Sequence, residues 1–354
     1  MHLAQSAMNP RIFSTCPQSS DYVRGTDFLR QVIDVAQWSE ANGCEGILVY
    51  TDNRLVDPWL VSQIILQKTQ HLAPLVAVQP VYMHPYSAAK MIATFGRLYG
   101  RRIHLNMVAG GFSNDLAQLG DPTPHDRRYE RLVEYTEIIK GLLANKSVTL
   151  DGAFYQVKSL KLSPSLPESL FPEIFISGSS DAGMAAARAI GAVAVKYPKP
   201  PGEETPIPDA AGRPCGMRIG VIARMTDNAA WQAAEARFPE DRKGQITHEL
   251  AMKTSDSLWH RQLSALAPPN GSGKSPYWMQ PFQNYQTFCP YLVGSYERVG
   301  AELARYMLLG SETFILDIPR QEDDLRHARR AFDAAVDLAA STAGALYERP
   351  ERTV

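Results

Sequence analysis

Phe171-Pro-Glu-Ile-Phe-Ile-Ser-Gly-Ser-Ser-Asp-Ala-Gly-Met-Ala-Ala-Ala-Arg188 reads as a strand, a small polar turn and a helix start. Ile174, Phe175 and Ile176 form a short apolar run of the buried-strand kind. Ser177-Gly178-Ser179-Ser180 breaks it, and a helix opens at Asp181 and runs on through Ala185, Ala186 and Ala187. The first N–H groups of a helix have no intrahelical acceptor, and the helix dipole favours an anion there. Ser179 and Ser180 add hydroxyls, and Gly178 permits close approach of the backbone. The segment has the parts of a phosphate cup.

The same alternation runs outward in both directions. Upstream, apolar runs at 11–15, 46–50, 74–78 and 102–108 read as strands. Helical patterns follow them at 27–42, 57–69, 85–98 and 126–144. Gly43 is a natural stop for the first helix, and Asp57-Pro58 opens the second with proline where its missing N–H costs least. Asp126 reads as the N-cap of the fourth. Downstream, strands are expected at 173–176, 192–196, 217–223 and 312–317, with helices from 181, 227 and 322. Repeated strand–helix units demand a parallel sheet with right-handed crossovers. The fold class is α/β, a (β/α)8 TIM barrel with insertions, expected as one domain over 1–354. The insertions fall at about 148–162, 199–214 and 239–290, the last a candidate lid with Gly271-Ser272-Gly273 as its hinge. An open doubly wound sheet competes, but no Gly-x-Gly-x-x-Gly follows the first strand.

A formal net charge of -1 argues against a nucleic-acid surface or a polybasic membrane patch. No apolar run approaches the ~20 residues that span a bilayer. Cys16, Cys44, Cys215 and Cys289 stand far apart, which indicates neither a zinc knuckle nor a redox dithiol. Reduced thiols and the absence of a basic, apolar leader at Met1 to Pro10 lead to an expected cytoplasmic location. No metal-ligand spacing rises above background, and no metal is expected.

In a (β/α)8 barrel, function gathers at the C-terminal ends of the strands. Asn106 is polar within an apolar strand and leads into Met-Val108-Ala-Gly110-Gly111, where a flat ligand can lie against the backbone. A plain strand end fits those residues equally well. His125 and Tyr129 stand four apart and share a helix face. Capping or packing explains His125 as readily, and Arg127 and Arg128 read as solvated surface. His84 and His104 are candidate acid–base groups, although a satisfied core histidine is the simpler reading of His104.

Val108-Ala-Gly-Gly, His125-Asp-Arg-Arg-Tyr-Glu-Arg and Ile176-Ser-Gly-Ser-Ser-Asp-Ala together resemble the luciferase-like flavin-dependent monooxygenases, most of all their alkanesulfonate monooxygenase branch. Asp57-Pro-Trp-Leu-Val and Arg224-Met-Thr-Asp-Asn-Ala-Ala-Trp extend the likeness, which covers roughly residues 11 to 340 in unbroken order. It implies reduced FMN (FMNH2) as cofactor, molecular oxygen as co-substrate, and oxidation of a small organic substrate through a flavin C4a-(hydro)peroxide. The partner it implies is an NAD(P)H-dependent flavin reductase, in a two-component system. It also implies a homo-oligomer, dimer or tetramer. His125 and Tyr129 would approach the flavin chain and phosphate, with Gly178, Ser179 and Ser180 at the phosphate and Asn106, Val108 and Gly110 by the ring.

The substrate half departs from that branch. Its strand-seven arginine corresponds to Arg218, but its histidine two residues on falls at Gly220. Its other substrate-side residues fall at Leu55, near Tyr285 and at Ile318. A substrate other than a simple alkanesulfonate is therefore expected, with Arg218 and Arg224 either holding an anionic group or, one or both, pairing with carboxylates. A deazaflavin-dependent oxidoreductase on the same barrel and a non-catalytic flavin-binding protein stand as alternatives.

Overall fold

In the computed structural model the described residues are 9–22, 24–110, 113–178, 180–205, 215–254, 264 and 275–347. They fall into two compact units. The described residues of Met1–Phe13, Lys196–Ala251 and Gln262–Val354 form the first, and those of Ser14–Val195 and Met252–Arg261 the second.

The second unit carries five of the expected strands. These are β2 (Gly46–Val49), β3 (Ala73–Val78), β4 (His104–Met107), β7 (Ile174–Ser177) and β8 (Val193–Lys196), parallel and in the order β2-β3-β4-β7-β8. β1 (Arg11–Thr15) is divided between the units, and its first three residues pair within the first. Helices α1 (Gly25–Ala41), α2 (Pro58–Lys68), α3 (Pro85–Tyr99), α5 (His125–Leu143) and α6 (Asp181–Ile190) separate the strands, and a short α4 (Ser113–Gln118) follows β4. Local chemistry sets their ends. Asp57 caps α2 by accepting from Trp59 N and Leu60 N, with Pro58 in the first turn. Gly100 and Gly191 end α3 and α6 in the left-handed conformation. α5 starts at His125, behind Pro124, so Asp126 stands in its first turn and is not its cap. Val76, Leu105 and Ile176 on the strands pack with Leu132, Tyr135 and Ile139 of α5 in one buried core.

The insertion at 148–162 is a two-stranded hairpin, β5 (Val148–Asp151) and β6 (Gln156–Leu160). Its turn is held from beneath. The Glu134 carboxylate accepts the backbone N–H groups of Ala153, Phe154 and Tyr155 at 2.9, 3.0 and 3.0 Å.

The first unit contains β9 (Cys215–Arg224), α7 (Asp227–Arg237), α8 (Arg242–Thr254), β10 (Tyr277–Trp278), a single turn α9 (Gln280–Gln283), β11 (Tyr291–Ser295), α10 (Tyr296–Leu308), β12 (Ser311–Leu316) and α11 (Glu322–Tyr347). β9 pairs in parallel with β12 over its first half and with β11 over its second. Trp231, Ala234, Phe238, Tyr291 and Val293 form its buried cluster. β11 and α10 add to what the sequence predicts, and the aperiodic stretch from 239 holds helix α8. With β1, β9 and β12 the parallel strands of the barrel number eight, and the fold class is the (β/α)8 barrel. Among the described residues no helix is long and apolar enough to cross a membrane. All four cysteines are free and buried.

Candidate active site

Four predicted residues meet where β7 hands over to α6. Ser180 caps α6 by accepting from Gly183 N at 3.1 Å. It also shares a hydrogen bond with the Tyr129 hydroxyl, which α5 presents from its second turn. A Cβ on Gly178 would stand 2.8 Å from that hydroxyl, and one on Gly183 would crowd both Ser180 Oγ and the Tyr129 ring at 3.2 and 3.3 Å. The two glycines are therefore what lets the tyrosine reach the helix start. The His125 ring packs edge-on to Tyr129 at 5.3 Å between centroids, and its Nδ1 bonds Asp126 Oδ1 at 2.7 Å. Ser179 lies outside the described residues.

The electrostatics favour an anion at this place. Burial pushes the Tyr129 phenol above its usual range, more than the Ser180 bond and the Arg128 charge pull it down, so it keeps its proton at neutral pH. Arg128 is buried, contrary to the expected solvated surface, and its charge acts on the same tyrosine. The geometry of α6 leaves the amides of Asp181 and Ala182 without intrahelical acceptors, because Met184 N is the first to bond back, to Ser180 O. Hydroxyl and amide donors thus converge from two helices, with the Arg128 charge acting on the same tyrosine and the Asp126 charge opposing it.

One strand along, Asn106 is buried, and Ser177 Oγ donates to its Oδ1 at 2.9 Å. The protein itself supplies one partner of the amide. Val108 is half-buried and donates its N–H to Val78 O at 2.9 Å. Gly110 sits at φ 107°, and a Cβ there would lie 3.1 Å from Leu116. That conformation requires glycine.

The two histidines divide. His84 caps α3 with Nδ1 accepting from Tyr86 N at 3.2 Å, which places its ring proton on Nε2. Its ring stands edge-on to Tyr155 of the hairpin at 6.0 Å, and Tyr155 Oη lies 3.5 Å from Pro80 O. Glu134 thereby positions a hairpin tyrosine beside the histidine that caps α3, a link the sequence does not announce. His104 lies elsewhere. It opens β4 at the N-terminal end, where its buried Nδ1 accepts from Glu173 N at 3.2 Å and its ring packs on Phe175. Strand parity with Asn106 does not bring it to the C-terminal ends; it is the core histidine of the simpler reading. Ligand atoms of His104, Glu45 and Glu173 come within 4.8 Å of one another at that end, and each of the three has other partners.

In the first unit, Arg218 is buried on β9 and pairs with Asp317 at 3.6 Å, so the guanidinium faces a carboxylate of its own chain. Thr287 and Tyr291 both donate to that carboxylate, at 2.6 and 2.7 Å. Neither donor stands out in the sequence: Thr287 comes from the stretch without clear periodicity, and Tyr291 opens β11 just after it.

Comparison with known proteins adds the following. The sequence model of the family described as luciferase-like monooxygenase matches residues 8–313. The chain is 35% identical over 325 residues to the 4-(gamma-L-glutamylamino)butanoyl-[BtrI acyl-carrier protein] monooxygenase BtrO of Niallia circulans, covering 90% of this chain and 95% of that protein. Two solved structures share the fold at low identity. The oxygenating constituent of 3,6-diketocamphane monooxygenase from Pseudomonas putida, a type II Baeyer–Villiger monooxygenase in complex with FMN, superposes with a TM-score of 0.67 at 15% identity, covering 94% of this chain and 98% of that one. An F420-dependent secondary alcohol dehydrogenase superposes with a TM-score of 0.64 at 16% identity, covering 92% and 99%.

Proposed function

Because the chain belongs to the luciferase-like monooxygenase family, we propose that this monooxygenase uses reduced FMN and molecular oxygen to oxidise a small organic substrate. A separate NAD(P)H-dependent flavin reductase would supply the reduced FMN. The observation that carries this reading is the junction of β7 and α6. Tyr129, Ser180 and the first α6 amides are donors, and Arg128 adds positive charge. A dianionic phosphate suits that donor set. Reduced FMN, once bound, supplies the electrons that activate oxygen.

The chain's own residues do the rest. Tyr129 and Ser180, with Ser179 where the resemblance places it, hold the phosphate, and His125 lies along the flavin chain. Asn106, its Oδ1 already fixed by Ser177, offers its amide N–H groups to the ring edge. Gly110 and Val108 bring bare backbone against it. His84, with its proton on Nε2, holds that proton at the end of β3 and can pass it to a reacting oxygen. The Tyr155 hairpin, fixed by Glu134, excludes water from that side. The kinship with BtrO brings a carrier-bound acyl chain forward as a candidate substrate class.

Titration of the protein with FMN, oxidised and reduced, followed by a substrate screen with a flavin reductase under air, tests the reading. Substrate-dependent product that needs oxygen is expected. Turnover that persists under strict anaerobiosis with a deazaflavin would replace it with the dehydrogenase alternative, and indifference to flavin at all concentrations would end it.

A further inference from the structure

Arg218 and Gly220 are two residues apart on β9 and share a strand face. A Cβ at Gly220 would lie 2.3 Å from the Tyr291 ring, so the missing side chain is what admits that ring. Tyr291 is fully buried, and its hydroxyl and that of Thr287 both bond Asp317 Oδ2. The other oxygen, Oδ1, faces Arg218 Nη2. The side chains of Arg218 and Asp317 are only 7% and 11% exposed, so the pair acts in low dielectric. The neighbouring charges make a second group. Arg237 and Arg224 approach the Asp324 carboxylate at 3.2 and 3.7 Å, and Arg237 also bonds Ile318 O.

Resting on the monooxygenase reading above, we propose that Tyr291 and Asp317 determine substrate specificity. Asp317 neutralises Arg218 from within the chain, and the Tyr291 hydroxyl holds that carboxylate in place. The C-terminal end of β12 and the stretch of β9 beside it then receive an uncharged part of the substrate, an alkyl or amide segment, and turn away a sulfonate or carboxylate. The reason is electrostatic. An anion reaching Arg218 meets Asp317 at contact range, where like charges repel by several kcal/mol. To displace Asp317 it would also strip two buried hydroxyls of their acceptor. An uncharged segment faces neither cost.

Calorimetric titration with 1-octanesulfonate and octanamide, with and without FMN, tests this. Wild-type protein should bind octanamide about tenfold or more tightly than octanesulfonate, and Asp317→Asn should raise octanesulfonate affinity about tenfold by releasing Arg218. Adding Arg218→Gln to Asp317→Asn should abolish that gain. Equal affinity of wild type for the two probes overturns the proposal, as does failure of wild type to bind either probe. So does a folded Asp317→Asn protein without the gain. The wild-type comparison decides the case by itself should the variant fail to fold. Loss of FMN binding with the probe preference intact counts against the monooxygenase reading and not against this one.

Discussion

Gly178→Ala adds one carbon where the structure leaves no room for it. The new Cβ would lie 2.8 Å from Tyr129 Oη, while Cζ and Cε1 stand at 3.7 and 3.9 Å. The clash is with the hydroxyl alone, and the ring itself is at ordinary contact distance. To relieve it, the half-buried ring must tilt away from Ser180 and give up the hydrogen bond they share. One extra methyl in a packed site costs ~1–3 kcal/mol. The lost hydrogen bond costs ~0.5–1.5 kcal/mol. Gly178→Ala should therefore lower unfolding free energy by about 2–4 kcal/mol. Tyr129→Phe removes the offending atom and should cost about 1 kcal/mol. In the double variant the steric part disappears and the hydrogen bond is counted once. The two changes should then be less than additive, with a coupling of about 2–4 kcal/mol. Any backbone cost of the alanine is common to both backgrounds and cancels. Urea unfolding followed by circular dichroism measures all four proteins. Strict additivity would refute a hydroxyl-specific contact and, with it, the account of why glycine stands at this turn.

Other outcomes follow from the same geometry. Glu134→Ala removes the single acceptor of three backbone N–H groups, and should cost about 2–4 kcal/mol and speed hydrogen exchange at 153–155; unchanged exchange there would show that the hairpin turn holds without it. Asp121 is buried, which raises its pKa, but bonds from Arg131 and Thr123 outweigh that and hold it below the usual carboxylate range. Its contribution is present above the unfolded pKa of about 3.9 and is lost as pH falls through the lowered folded value. Asp121→Asn should accordingly be less stable at neutral pH and should flatten the decline of Tm below about pH 4. Gly220→Ala drives a Cβ into the fully buried Tyr291 ring and should destabilise by about 3 kcal/mol, a loss that Tyr291→Ala in the same chain relieves; equal damage in both backgrounds would contradict the packing described.

Periodicity revealed each barrel strand because a parallel strand in this fold is a short apolar run, whatever it pairs with. β11 and α10 carried signals that were weaker but present. Ser295 caps α10 by accepting from Arg298 N, and Val299, Leu303 and Met307 form a helical stripe. The strand before it is five residues containing a glycine and a serine, which dilutes the apolar pattern. At the candidate site, residue type and spacing identified Tyr129, Gly178 and Ser180, but not that they touch. That contact joins α5 to α6 across β7 and has no local signature. The placement of His104 shows the converse. Alternation along β4 puts His104 and Asn106 on one strand face, yet it does not say which end of a strand a residue occupies. Gly220 reads in the sequence as a lost side chain; Tyr291, far along the chain, fills the space.

The proposed use of reduced FMN and oxygen would bring with it a leak of hydrogen peroxide. The oxidant attacks the thiolate, not the thiol. Cys16, Cys215 and Cys289 are held in the thiol form by burial, the last with its pKa pushed up to about 12, and Cys44 is enclosed as well. Sulfenic acid formation therefore has no ready foothold on the folded molecule, and catalase should do little to prolong its working life.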